Sequence, residues 1–146
     1  MSSFVEEQIK TLKEKIGDKK ALYYDGSMGG VKNIISLNSN LNVENRFEAG
    51  ELAGLANAES IIANLKENES IKFVSHSMGA AYTKGFISGL YKYSLENNID
   101  ISGLIEMEID LAPFQPGSQE AYEEINTIVI QHMYDRVAMT GEMPNA

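Results

Sequence analysis

Strands alternating with helices predict an α/β fold, with a mostly parallel sheet covered by helices on both faces in three layers. Three observations predict it. An amphipathic helical pattern opens the chain, short apolar runs recur at "KFVSH", "LIEMEIDL" and "TIVIQH", and a long helical segment separates the first two. At 146 residues the chain is the length of one domain with its own core. No repeat, low-complexity tract or linker divides it, so residues 1–146 are read as a single small domain.

Val5, Ile9, Leu12 and Ile16 recur at helical spacing until Gly17 and Asp18 stop the pattern, which predicts a first helix. "KALYYDGSMGG" then predicts a short strand from Ala21 to Tyr24 running into a glycine loop. "VKNIISLNSNLN" allows either a short strand over Ile34 to Leu37 or a loop, because its Asn and Ser side chains compete for backbone hydrogen bonds. Apolar residues from Phe47 to Leu65 suit a helix with a break near Gly54. Ser70 to Ser75 reads as a buried strand and Met78 to Glu96 as the next helix. Along that helix Ala81, Gly85 and Gly89 form a stripe of minimal side chains, expected to let it approach the sheet closely.

"SGLIEMEIDLAPF" predicts a strand whose alternation separates Ile105, Met107, Ile109 and Leu111 from Glu106, Glu108 and Asp110. The acidic face is expected to meet solvent. "QEAYEEINT" reads as a short helix or turn, and "TIVIQH" as a last buried strand. In open parallel sheets ligands bind beyond the carboxyl ends of the strands. That rule singles out the loop after Tyr24, Ser77 after "KFVSH", and Asp135 after "TIVIQH".

Composition excludes several classes. Without cysteine the chain has no disulfide, thiolate zinc site or thiol nucleophile. A formal charge of −9 argues against nucleic acid as a partner, since such affinity comes from Lys and Arg neutralising phosphates. No apolar run is long enough to span a bilayer. The N-terminus lacks the apolar stretch of a Sec-type signal, which implies a cytoplasmic location and leaves export by another route open. His76 and His132 are the entire imidazole supply.

"Ser75-His76-Ser77-Met78-Gly79" matches the nucleophile-elbow pattern G-x-S-x-G with serine in the first glycine position. The elbow needs small residues two before and two after the nucleophile, because the turn from strand to helix is tight. Ser77 is then a nucleophile whose oxyanion is met by the Met78 N–H at a helix N-terminus. The alternative is a plain helix cap, a common use of serine. A second oxyanion donor is expected from the glycine loop "Asp25-Gly26-Ser27-Met28-Gly29-Gly30", at Gly26 and Ser27; a simple turn is the other reading of that loop.

"FVSHSMGAA" resembles the elbow of lipase-like serine hydrolases of the α/β-hydrolase fold. The second half of the chain, through "EIDLAPFQPGSQ" and "NTIVIQHMYDRVA", is similar to a hydrolase-like domain at the C-terminal ends of Rhs-type polymorphic toxins. The resemblance implies a small or shortened α/β-hydrolase that cleaves an apolar or lipid ester by acyl transfer without a cofactor. It also makes Asp135 the acid of a Ser-acid-His triad. The late histidine of the family pattern has no counterpart between Asp135 and Ala146. His132 is the candidate substitute, with Asp135 or, in an alternative triad, Asp110 as acid; a packed structural histidine is the other reading of His132. His76 adjoins Ser77 but is expected to point away from it.

The remaining candidates have simpler accounts. Glu106, Glu108 and Asp110 share a face that could ligate calcium or magnesium, though a solvated face needs no metal and none is expected. Glu120, Glu123 and Glu124 read as a solvated face. The seven methionines read as core filling, with Met28 and Met78 also placed where they could flank an acyl pocket. The competing functions are a catalytically defective hydrolase-like binding domain and a fragment of a secreted toxin; the oligomeric state is left open.

Overall fold

The computed structural model describes residues 10, 21, 22, 24–26, 39–114, 116–131 and 143–145. The expected helix over Val5 to Ile16, the segment at Ile34 to Leu37, and Ser27, Met28, His132 and Asp135 lie outside these, save that Lys10 is helical. Helix α1 spans Ser39–Ala63, strand β1 Ile71–His76, helix α2 Gly79–Asn97, strand β2 Ile105–Leu111 and strand β3 Asn126–Ile130. This is an α/β fold.

Among the described residues the strands form a parallel sheet in the order β1-β2-β3. With that order and right-handed crossovers, both connections must lie over the same face of the sheet. Helix α2 makes the first connection. The second, residues 112–125, carries among its described residues a short 3-10 turn at Pro116–Ser118 and is tied to α2 where the Tyr122 hydroxyl donates to the Lys84 carbonyl at 2.9 Å. Tyr82, Phe86, Ile87 and Leu90 of α2 form the core with Ala58 of α1, Ile101, Ile105 and Ile125.

The small-residue stripe of α2 has a different partner from the one expected. Gly85 and Gly89 face α1, where a Cβ on either would overlap the Phe47 or Glu51 carbonyl oxygen. Gly50 and Gly54 of α1 are set in the same way against the Tyr82 and Phe86 carbonyls. Two glycines four apart on each helix therefore let the helix backbones touch, and α1 runs unbroken through Gly54. Across the top of the crossing Glu51 accepts from Ser88 at 2.6 Å and Lys92 at 2.5 Å, and both bonds hold its carboxyl below the usual range.

Three further expectations are corrected and one open alternative is resolved. Ala21, Leu22 and Tyr24 belong to no strand; instead the Tyr24 ring packs on Phe86, centroids 4.6 Å apart. The acidic side of β2 does not meet solvent at its carboxyl end: Glu108 and Asp110 are fully buried under α2, and Ile109 and Leu111 on the opposite face are half-buried. Strand β3 is not buried on both faces, since Ile128 and Ile130 are exposed while Thr127 and Val129 are half-buried. Of the two readings of "QEAYEEINT", helix or turn, the structure shows the turn, which runs into β3.

Candidate active site

Strand β1 delivers the chain to Ser77, and α2 carries it away from Gly79. Ser77 adopts φ 53°, the left-handed region that a side chain with a Cβ disfavours. Its surroundings hold it there. The Ser77 N–H donates to the Leu111 carbonyl at 2.9 Å, which extends the β1–β2 pairing one residue past the strand. Its carbonyl accepts the Ala80 N–H at 3.3 Å and the Phe114 N–H at 3.1 Å. A strained backbone fixed from both sides is the geometry that a nucleophile elbow requires.

The helix-cap reading lacks its hydrogen bond. Met78, one residue later, occupies the cap position of α2, with φ −66° and no side-chain cap bond. No described residue accepts the Met78 N–H or bonds the Ser77 hydroxyl. That N–H stands at the positive end of the helix, where a developing oxyanion is stabilised.

The glycine loop reaches the elbow at Gly26. A Cβ there would lie 2.7 Å from the Gly79 Cα and 3.8 Å from the Tyr82 Cβ, so only a glycine lets the two segments meet. The Gly26 carbonyl accepts a 2.6 Å hydrogen bond from Arg46 Nη1 of α1. Arg46 is buried, which pushes its guanidinium down from its ordinary value, and the charge of Asp25 opposes that. Nothing in the local sequence marks Arg46 as buried; its partners lie some twenty residues upstream in the loop.

Behind the elbow is a buried ion cluster that sequence reasoning missed. Lys84 Nζ of α2 lies 2.5 Å from Glu108 Oε2 and 3.0 Å from Asp110 Oδ2, with all three side chains almost wholly out of water. Ser75, beside Asp110 in the sheet register, donates its hydroxyl to Asp110 Oδ1. The serine in the first glycine position of the elbow motif is therefore a hydrogen-bond donor as well as a small residue. Burial pushes the Glu108 carboxyl up to about 7, helped by the neighbouring Asp110 and opposed by Lys84.

The cluster bears on two of the candidates. Glu108 and Asp110 take Lys84 as their cation, and among the described residues no group of three His, Cys, Asp or Glu is arranged to hold a metal ion. Asp110, the acid of the alternative triad, accepts from the Ser75 hydroxyl and from Lys84 Nζ beneath α2, and His132 lies outside the described residues. His76 is exposed and, by strand alternation, on the opposite face of β1 from Ser75.

A groove of about 670 Å³ opens between α1, α2 and residues 119–124, walled by Phe47, Ala81, Lys84 and Tyr122 and rimmed by Glu44, Glu48, Glu120, Glu123 and Glu124. Among the described residues Ser77 and Met78 do not line it. No helix among them is long and apolar enough to cross a membrane. No protein-family model matches the chain, and neither a curated protein nor a solved structure is detectably similar to it.

Proposed function

We propose that this chain is a serine ester hydrolase that works by acyl transfer through Ser77. The observation that carries the reading is Ser77 itself: a non-glycine residue at φ 53° between a parallel strand and a helix, with a free hydroxyl among the described residues. Holding a serine in that conformation costs about 1–2 kcal/mol. A cap would incur no such cost, whereas a nucleophile that must stand clear of the sheet does.

In this mechanism the Ser77 hydroxyl attacks the ester carbonyl and its proton passes to a base. Met78 N–H and the loop at Gly26 and Ser27 stabilise the oxyanion. Collapse expels the alcohol, which takes that proton, and leaves an acyl-serine that water hydrolyses by the same route. His132 is the base that we assign, with Asp135 as the acid orienting it. The resemblance to lipase-like hydrolases supplies the substrate class, an ester with an apolar acyl chain; the resemblance to the Rhs-toxin domain would make that ester a target in another cell.

The reading carries with it a three-layer, α/β-hydrolase-like arrangement. Its support is apolar: Val74, Ile109, Leu111, Ile128 and Ile130 share the sheet face away from α2, as a face meant for a second helical layer would. The test is hydrolysis of p-nitrophenyl esters of increasing acyl length by the wild-type chain and by Ser77→Ala. Turnover that rises with chain length and vanishes in the variant is expected. Equal turnover in both would remove Ser77 from the chemistry, and none in either would favour a hydrolase-like binding domain.

A further inference from the structure

We propose that the groove between α1, α2 and residues 119–124 binds an alkyl polyammonium cation: the rim carboxylates meet its charges, and the buried amide oxygen of Gln119 accepts one of its N–H groups. The proposal is independent of the reading of Ser77, which does not line the groove.

Gln119 points to a ligand that donates. It lines the groove, is only 6% exposed, and its Nε2 donates to the Phe114 carbonyl at 2.6 Å. That bond fixes the amide, because turning it over would set oxygen against oxygen. Oε1 is then a buried acceptor to which no described residue donates. A buried acceptor left without a donor is costly, so an N–H brought to it gains more than one brought to the surface.

The rim selects for positive charge. Glu44 and Glu48 lie one turn apart on α1, and Glu120, Glu123 and Glu124 line the groove from the connection to β3. All five are exposed, and among the described residues none pairs with a Lys or Arg. Like charges gathered without a counter-charge repel one another, and a cation between them relieves the repulsion. Glu120 accepts from Asn145 Nδ2 at 3.1 Å, a neutral partner that leaves its charge intact. Lys84, the cation on the wall, is turned to Glu108 and Asp110. Between the charges the walls are apolar. Phe47 and Ala81 present carbon, and Tyr122 presents its ring, since its hydroxyl is tied to the Lys84 carbonyl. A methylene chain suits such walls, whereas a compact metal ion answers the charge alone and keeps its water. The groove's volume of about 670 Å³ is that of a small-ligand site.

The full chain is titrated calorimetrically with spermidine at about 0.15 M ionic strength, where long-range attraction to a chain of charge −9 is screened. Saturable binding of one spermidine per chain is expected, with magnesium ion at equal ionic strength displacing little of it. The variant Glu48→Gln/Glu120→Gln/Glu123→Gln removes three rim charges and should weaken binding at least about tenfold. Glu59→Gln/Glu67→Gln/Glu96→Gln removes as many charges from exposed positions outside the groove and should change the affinity less than about twofold. Gln119→Met keeps the side-chain length but loses the acceptor, and should weaken binding about tenfold. Circular dichroism confirms that each variant is folded. Equal weakening by the two triple variants, magnesium binding as tight as spermidine, unaltered affinity in folded Gln119→Met, or no saturable binding at millimolar spermidine would each overturn the proposal.

Discussion

The amide of Ser77 donates to the carbonyl of Leu111 at 2.9 Å, one residue beyond the last paired position of β1 and β2. That bond carries the sheet pairing into the turn and holds Ser77 at φ 53°. The strain has a measurable consequence. Ser77→Gly and Ser77→Ala both delete the hydroxyl, but only glycine relieves the backbone. The Gly variant is expected to be more stable than the Ala variant by about 1 kcal/mol, or roughly 2–4 °C in thermal midpoint. Equal midpoints, or a more stable Ala variant, would mean that the turn is unstrained.

Gly85 is the tightest point of the α1–α2 crossing. A methyl there overlaps the Phe47 carbonyl, and neither helix backbone can yield without parting the pair. Gly85→Ala is therefore expected to cost about 2 kcal/mol or more in urea unfolding. Gly103→Ala is the control, because its nearest neighbour is the Asp100 carboxylate at 3.6 Å, and it should change stability by less than about 1 kcal/mol.

Glu108 gives the fold a pH dependence. Its folded value of about 7 lies above its ordinary 4.5 because burial and Asp110 outweigh Lys84. The folded chain then keeps a proton that the unfolded chain has lost, so stability from this group falls as pH rises from about 4.5 to about 7 and levels off above. The full fall is on the order of 3 kcal/mol. Glu108→Gln cannot ionise and should lack this fall, leaving it more stable than wild type at pH 8. Parallel stability–pH curves for the two proteins would show that Glu108 is ionised throughout.

What was legible in the sequence was local. "KFVSHSMG" holds a strand run, two small residues at fixed offsets and the start of a helix within a few positions, and the structure places Ser77 on that turn. Alternation showed that Glu108 and Asp110 share a face, but not that this face is buried. The information lay in Lys84, 24 residues before Glu108, on a helix position that otherwise calls for an apolar side chain. The glycine spacing of α2 announced a close approach but pointed to the sheet, and the signal of its actual partner, Gly50 and Gly54 of α1, was missed because Gly54 suggested a break. Arg46 was invisible for the same reason: its burial depends on a loop that only tertiary structure brings beside it.

The most direct test of the account is intact-mass measurement after exposure to a fluorophosphonate, followed by peptide mapping. One phosphonyl adduct on Ser77 in the wild-type chain, and none in Ser77→Ala, is the result that the account predicts. An adduct that persists in Ser77→Ala, or a folded wild-type chain that takes up no label, would contradict it.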